Sequence, residues 1–172
     1  EILALAGATN ADKTRYEATL EDRIEMVKLA TADAARVSVG IISHAFFVDM
    51  IEALQPHLAP QTDLHFIIGF DTFERALDLE NQYTAKYHRN FSSRIEAVEF
   101  LLTHSQLIVA GRGSSGREAI HQLIEIDMPG FANRVLALDT PADLGARSAT
   151  DVRKRVRAGL SITGLVPPPV ER

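Results

Sequence analysis

Four polar segments of this chain carry residue types able to hold an anion or a sugar. The first is Gly7-Ala8-Thr9-Asn10-Ala11-Asp12-Lys13, a loop ending in a cation. Lys13 can meet a phosphate as a point charge, although a solvated lysine is the ordinary alternative. The second is Gly69-Phe70-Asp71-Thr72-Phe73. Gly69 lets a ligand approach the backbone closely, and Asp71 can accept hydrogen bonds from two ribose hydroxyls. Asp71 with Glu74 three residues on also reads as a helix N-cap, which accounts for both acids without a ligand. The third is Gly111-Arg112-Gly113-Ser114-Ser115-Gly116, whose backbone N–H groups can wrap a phosphate. It is not a Walker loop, because no Gly-Lys-Ser/Thr follows, and the same residues also make a plain surface loop. The fourth is Ser148-Ala149-Thr150-Asp151-Val152-Arg153, where a helix is expected to begin. A helix start offers unpaired N–H groups and a positive dipole end. Ser148 and Thr150 add hydroxyls, and Arg153 can set a planar fork of donors on the same phosphates. The competing reading is a capped helix with Ser148 as N-cap, Asp151 at the third position and Arg153 exposed. Spacing alone does not separate the two.

Other chemistries find little support. The six histidines lack His-x-x-x-His or comparable metal-ligand spacing, and there is no Gly-x-Ser-x-Gly elbow and no cysteine. No metal-binding side chains are therefore expected. A net charge of −5 argues against a broad nucleic-acid surface but not against a small anionic ligand. No apolar run approaches the roughly 18–20 residues of a membrane span. The absence of cysteine fits a cytoplasmic setting, which is the expectation here. The chain opens at Glu1 rather than Met and runs directly into apolar residues 2–6, as if it started inside a domain.

The elements that must position these segments alternate along the chain. Short apolar runs at 2–6, 37–42, 64–68, 107–110 and 135–138 are candidate strands. Being apolar on both faces, they suit a parallel sheet covered by helices on both sides. Between them lie helical stretches at 20–32, 46–54, 72–77, 93–103, 117–126 and 151–158. In the first, Leu20, Ile24, Val27 and Leu29 mark the apolar side, and Thr19 with Asp22 resembles a capping box. The polar stretch 78–90 reads as a loop or irregular helix, and Pro167-Pro168-Pro169 ends the last helical region. The alternation predicts an α/β, doubly wound parallel sheet in a single domain over residues 1–172. In such sheets, ligands bind beyond the carboxyl ends of the strands, where all four polar segments fall.

Read together, the segments resemble a known family. The run Ser148-Ala149-Thr150-Asp151-Val152-Arg153, the basic helix after it, and Gly159-Leu160-Ser161-Ile162 through Leu165-Val166-Pro167 look like the C-terminal signature of the nicotinamide/nicotinate mononucleotide adenylyltransferases. That signature reads I-S-S-T-x-I-R, then G-x-S-I-x-x-L-V-P. Phe66-Ile67-Ile68-Gly69-Phe70-Asp71-Thr72-Phe73 resembles the family's strand ending in I-G-x-D-S/T. Lys13 followed by Thr19, Arg23 and Met26 resembles its K…(S/T)…R…M segment, and Leu107-Ile108-Val109-Ala110-Gly111-Arg112 its strand ending in an Arg loop. The matches keep the family's order over nearly the whole chain. The C-terminal motif is fairly specific and the other three are weak singly.

The resemblance implies a Rossmann-like nucleotidylyltransferase fold and adenylyl transfer from ATP to nicotinamide or nicotinate mononucleotide, giving the dinucleotide and pyrophosphate for NAD biosynthesis. It implies that Ser148, Thr150 and Arg153 bind the ATP phosphates, that Gly69 and Asp71 bind the adenylate ribose, that Arg112 lies near the nucleotide, and that Lys13 meets the mononucleotide phosphate. Magnesium (Mg2+) would accompany ATP. Ala149 stands where the family has its second Ser. The family's opening Gly-x-Phe-x-Pro-x-His-x-Gly-His is absent from the 172 residues, so no catalytic His carries over, and the ring-stacking Trp is missing as well. The expectation is an N-terminally incomplete domain missing its first strand. The family's strand order 3-2-1-4-5 then places 2–6 as strand two and 64–68 as strand four. A pantetheine-phosphate adenylyltransferase-like enzyme and a non-catalytic nucleotide-binding protein on the same scaffold are the alternatives.

Overall fold

Side-chain caps at Thr19, Ser93 and Ser148 fix the starts of three helices. The computed structural model describes residues 1–9, 17–83, 91–111, 116–141, 144 and 147–171. Strand β1 spans Ile2–Gly7 and helix α1 Leu20–Thr31. The Thr19 side chain accepts from Asp22 N at 3.1 Å, while Thr19 N donates to the Asp22 carboxylate at 3.2 Å. This reciprocal box satisfies two otherwise orphaned donors and fixes the helix start. Leu20, Ile24 and Val27 form the half-buried stripe of α1. Leu29 does not join them and is 37% exposed; it lies off the 3.6-residue period that the other three follow.

The order continues with β2 (Val37–Ile42), α2 (Phe47–Leu54), β3 (His65–Gly69), α3 (Phe70–Leu77), α4 (Arg94–His104), β4 (Gln106–Ala110), α5 (Gly116–Asp127), β5 (Val135–Leu138) and α6 (Ala149–Arg157). Short 3₁₀ turns occur at Gln55–His57, Pro129–Arg134 and Pro168–Val170. The expected strands agree with these bounds to within a residue, and the final prolines make the last turn. Of the stretch 78–90, Asp78 closes α3 in the left-handed conformation and its carboxylate accepts from Tyr83 N at 3.0 Å; residues 84–90 lie outside the described part. No described helix is long and apolar enough to cross a membrane.

Every strand pairing is parallel, as the α/β pattern requires. The strands form two ladders, β1-β2 and β3-β4-β5. The β1–β2 and β3–β4 neighbours match strands two–three and four–five of the 3-2-1-4-5 order, whereas β5 beside β4 lies beyond that five-strand order. The chain divides into two compact units: Glu1–Phe46 with Arg147–Arg172, and Phe47–Ala146.

In the first unit, β1 and β2 run in register from Ile2 opposite Val37 to Gly7 opposite Ile42. Arg23 on α1 donates to the carbonyl of Gly7 at 2.7 Å and ties the helix to the end of β1. Ala6 and Ile42 are its buried apolar residues.

The second unit holds the main core. Phe66, Leu107, Val109 and Val135 share one sheet face, and onto it pack Ile51, Phe73, Leu77, Val98, Leu101, Leu102, Ile120 and Ile124 from α2 to α5. The opposite face carries Ile67, 60% exposed, and Leu136, 48% exposed. Helices on both faces were expected; within this unit they cover one. The steps from β3 through α4 to β4 and from β4 through α5 to β5 go the same way across the sheet, and right-handed crossovers then put both helices on the same side. Arg94 locks the helices together. It forks onto Asp127 of α5 at 2.8 and 2.9 Å and donates to the Leu77 carbonyl of α3 at 2.8 Å. The hydrogen bond to Asp127 raises the Arg94 pKa further.

Candidate functional site

The start of α6 gathers the three residues expected to meet phosphate. Ser148 is extended, with φ −129° and ψ 128°, and its hydroxyl accepts from Thr150 N at 3.2 Å. It is therefore the N-cap, and Ala149, which lacks the family's hydroxyl, is the first helical residue. Capping does not exhaust the group, since a hydroxyl that accepts can still donate its own proton. Arg153, one turn in, lies over Thr150 and donates to its hydroxyl at 3.2 Å. Its Nε stands 3.7 Å from the Glu17 carboxylate and its side chain is 39% exposed; Ser148 as N-cap and Asp151 at the third position are also as the capped-helix reading has them. Two hydroxyls, a helix start and a guanidinium thus share one end of α6, a set of donors suited to a polyphosphate.

Two further arginines of α6 divide by face. Arg155 turns to Asp151 at 3.2 Å and to the Ser161 carbonyl at 3.3 Å. Arg157, one turn after Arg153 on the same face, pairs with Glu17. Glu17 was not foreseen. Its partner lies 140 residues away in sequence, so no local spacing announces the pair.

In the second unit, β3 ends at Gly69, which is itself the N-cap of α3 with no side-chain cap bond. A Cβ added there would meet nothing within 4 Å, so the backbone at Gly69 borders open space. Asp71 is the second residue inside α3, not its cap, and is exposed. The capping explanation for Asp71 therefore fails, because α3 starts at once after the strand and leaves the capping position to glycine. Its backbone carbonyl accepts from Arg75 Nε at 2.9 Å. At the end of β4, Gly111 and Gly116 press backbone to backbone: a Cβ on Gly116 would lie 2.7 Å from Gly111 Cα. The first and last glycines of that loop are thus a tight pinch and not merely flexible spacers. Arg112 and Lys13 lie outside the described residues.

Beside the pinch, Arg117 of α5 forks onto Asp139, just after β5, at 3.2 and 2.7 Å. Those hydrogen bonds hold the Asp139 carboxyl below its ordinary range. Sequence reading missed this pair too, for the same lack of local spacing. Among the described residues no group of three or more His, Asp or Glu stands ready to hold a metal.

Parallel strands linked by helices, with polar segments at the strand ends and a basic capped helix, place the chain in the α/β class to which nucleotidylyltransferases belong. No family model matches it. A Schizosaccharomyces pombe protein named a nicotinamide mononucleotide adenylyltransferase is 32% identical over 118 residues, which are 67% of this chain and 44% of that protein. A Desulfitobacterium hafniense protein named a nicotinate-nucleotide adenylyltransferase is 31% identical over 152 residues, 85% of this chain and 64% of that protein. One of the same name from Dictyoglomus turgidum is 29% identical over 159 residues, 90% of this chain and 68% of that protein. The chain is thus similar, over 67–90% of its length, to proteins named as nicotinamide mononucleotide and nicotinate-nucleotide adenylyltransferases. It spans 44% and 64% of the length of the first two relatives.

Proposed function

We propose that this chain supplies the ATP-binding helix of an enzyme that transfers adenylyl from ATP to nicotinamide or nicotinate mononucleotide. The observation that carries the reading is the end of α6, where Ser148 caps the helix and Arg153 lies over Thr150. These donors meet the triphosphate; Gly69 and Asp71, at the end of β3, are assigned to the adenylate ribose by resemblance alone. Arg112 and Lys13 are assigned by resemblance to the nucleotide and to the mononucleotide phosphate. A phosphate oxygen of the mononucleotide attacks the α-phosphorus of ATP. A new P–O bond forms, the bond to the bridging oxygen breaks, and its electron pair leaves with pyrophosphate. The groups of α6 act by positioning and by stabilising charge on the departing phosphates, which needs no covalent intermediate. Magnesium enters bound to ATP, as part of the substrate.

The relatives' names divide between the nicotinamide and nicotinate substrates, and the proposal covers both. The test is pyrophosphate release from ATP with each mononucleotide, using the protein that carries this chain. Release that depends on a mononucleotide and falls at least tenfold in Arg153→Ala is the expected result. A protein that binds ATP but releases no pyrophosphate with either would favour the non-catalytic binding reading.

A further inference from the structure

One carboxylate oxygen of Glu17 faces two guanidinium groups of α6. It lies 3.7 Å from Arg153 Nε and hydrogen-bonds Arg157 Nη2. The two arginines are one helical turn apart on the same face, so they converge on a single anionic point. Arg155, between them in sequence, is drawn off to Asp151 and contributes nothing to that point. A two-arginine fork is a better match to phosphate oxygens than to a lone carboxylate, which offers one negative charge where a pyrophosphate offers several.

The contact is also easy to exchange. The side chains of Arg153, Glu17 and Arg157 are 39%, 51% and 62% exposed. Ion pairs at such exposure contribute little to stability and are screened by salt. Capping, by contrast, is left to Ser148, so α6 does not need Glu17 to start. Glu17 comes just before the capping box of α1, which Thr19 and Asp22 complete without it.

We infer that Glu17 stands in for the polyphosphate: it bridges Arg153 and Arg157 and releases both when a triphosphate or pyrophosphate binds, which makes Arg157 a second phosphate-binding arginine. The inference rests on the reading that Arg153 meets phosphate, and it adds an internal competitor and a further ligand to that site. Arg153 exchanges a carboxylate for a phosphate oxygen, so a fraction of the binding energy goes into breaking the contact with Glu17.

Pyrophosphate is the probe, titrated by calorimetry into the full protein at low ionic strength, with thermal melts to check folding. Glu17→Gln removes the competing charge and should tighten pyrophosphate binding about 2–5-fold, the scale of an exposed ion pair. That gain should shrink as salt is added. Arg157→Gln should weaken binding about tenfold, as loss of a charge-assisted contact does. Arg153→Ala serves as the control. If Arg153→Ala weakens binding while Glu17→Gln is unchanged or weaker than the parent, the competitor is refuted and the phosphate site stands. If Arg157→Gln matches the parent, its role as a ligand is refuted. If Arg153→Ala itself has no effect, the phosphate site beneath the inference falls with it.

Discussion

The two units of this chain are built on different economies of contact. The second unit buries Phe73, Leu77, Leu102, Leu107, Ile120 and Ile124 completely around one sheet face. The first unit buries Ala6 and Ile42, and is otherwise held by a parallel ladder, a capping box, the Arg23 tie to Gly7 and exposed ion pairs. Burial of apolar area is the larger and less reversible term, whereas exposed charges exchange partners readily. The comparison teaches where each kind of change will register. Substitution in the second unit should appear mainly as lost stability. Substitution on α6 of the first should appear mainly as lost ligand affinity.

The strongest way to break that comparison is Phe73→Ala. Phe73 is fully buried among the helices of the second unit, and its loss should cost about 3–5 kcal/mol in chemical denaturation. A cost as large from a surface residue of α6 would erase the distinction. Next comes Arg94→Met. It removes a fork on Asp127 whose two side chains are 19% and 13% exposed, and should cost about 1.5–3 kcal/mol, the range for hydrogen bonds to charged groups. Gly116→Ala follows. Its new Cβ would sit 2.7 Å from Gly111 Cα, a backbone atom that cannot swing away, and overpacking of this kind costs about 1–3 kcal/mol. A variant of parental stability would show that the Gly111–Gly116 approach relaxes freely.

The smallest effect concerns pH. Hydrogen bonds from Arg117 are the largest influence and lower the Asp139 pKa; burial opposes them, and the Arg117 charge adds the smallest contribution, again lowering it. A carboxylate whose folded pKa is depressed contributes stability above its unfolded pKa and loses that contribution as pH falls through the folded value. Asp139 is exposed, so the stability at stake is slight. The clear readout is its titration by nuclear magnetic resonance. Arg117→Gln should move the Asp139 midpoint upward, towards the ordinary carboxylate value, and an unmoved midpoint would remove the fork from the account.

Local chemistry was legible in the sequence and long-range pairing was not. Thr19 and Asp22 announced the start of α1 because a capping box lies within four consecutive residues. The apolar runs marked all five described strands, since strands of a parallel sheet read as continuous hydrophobic stretches. Ser148 as a cap was equally local. Asp71 misled because an acid three residues before another acid imitates a cap, and only the structure shows that α3 begins directly after Gly69. Leu29 misled through composition, being apolar but off the stripe. The bridges from Glu17 to Arg157 and from Arg117 to Asp139 join residues 140 and 22 positions apart, which no periodicity encodes. Helix ends and strand ends were therefore legible as candidate segments, and the charge pairs between distant residues were not.

The central claim is that the start of α6 holds the phosphates of ATP. Its most direct test is a calorimetric titration of magnesium-ATP into the intact protein and into Arg153→Ala, with circular dichroism confirming an unchanged fold. Loss of this charge-assisted contact should weaken ATP binding by about 1.5–3 kcal/mol, roughly 10- to 150-fold. An Arg153→Ala protein that folds normally and binds ATP with parental affinity would contradict the account and leave α6 as a capped helix with no part in the nucleotide site.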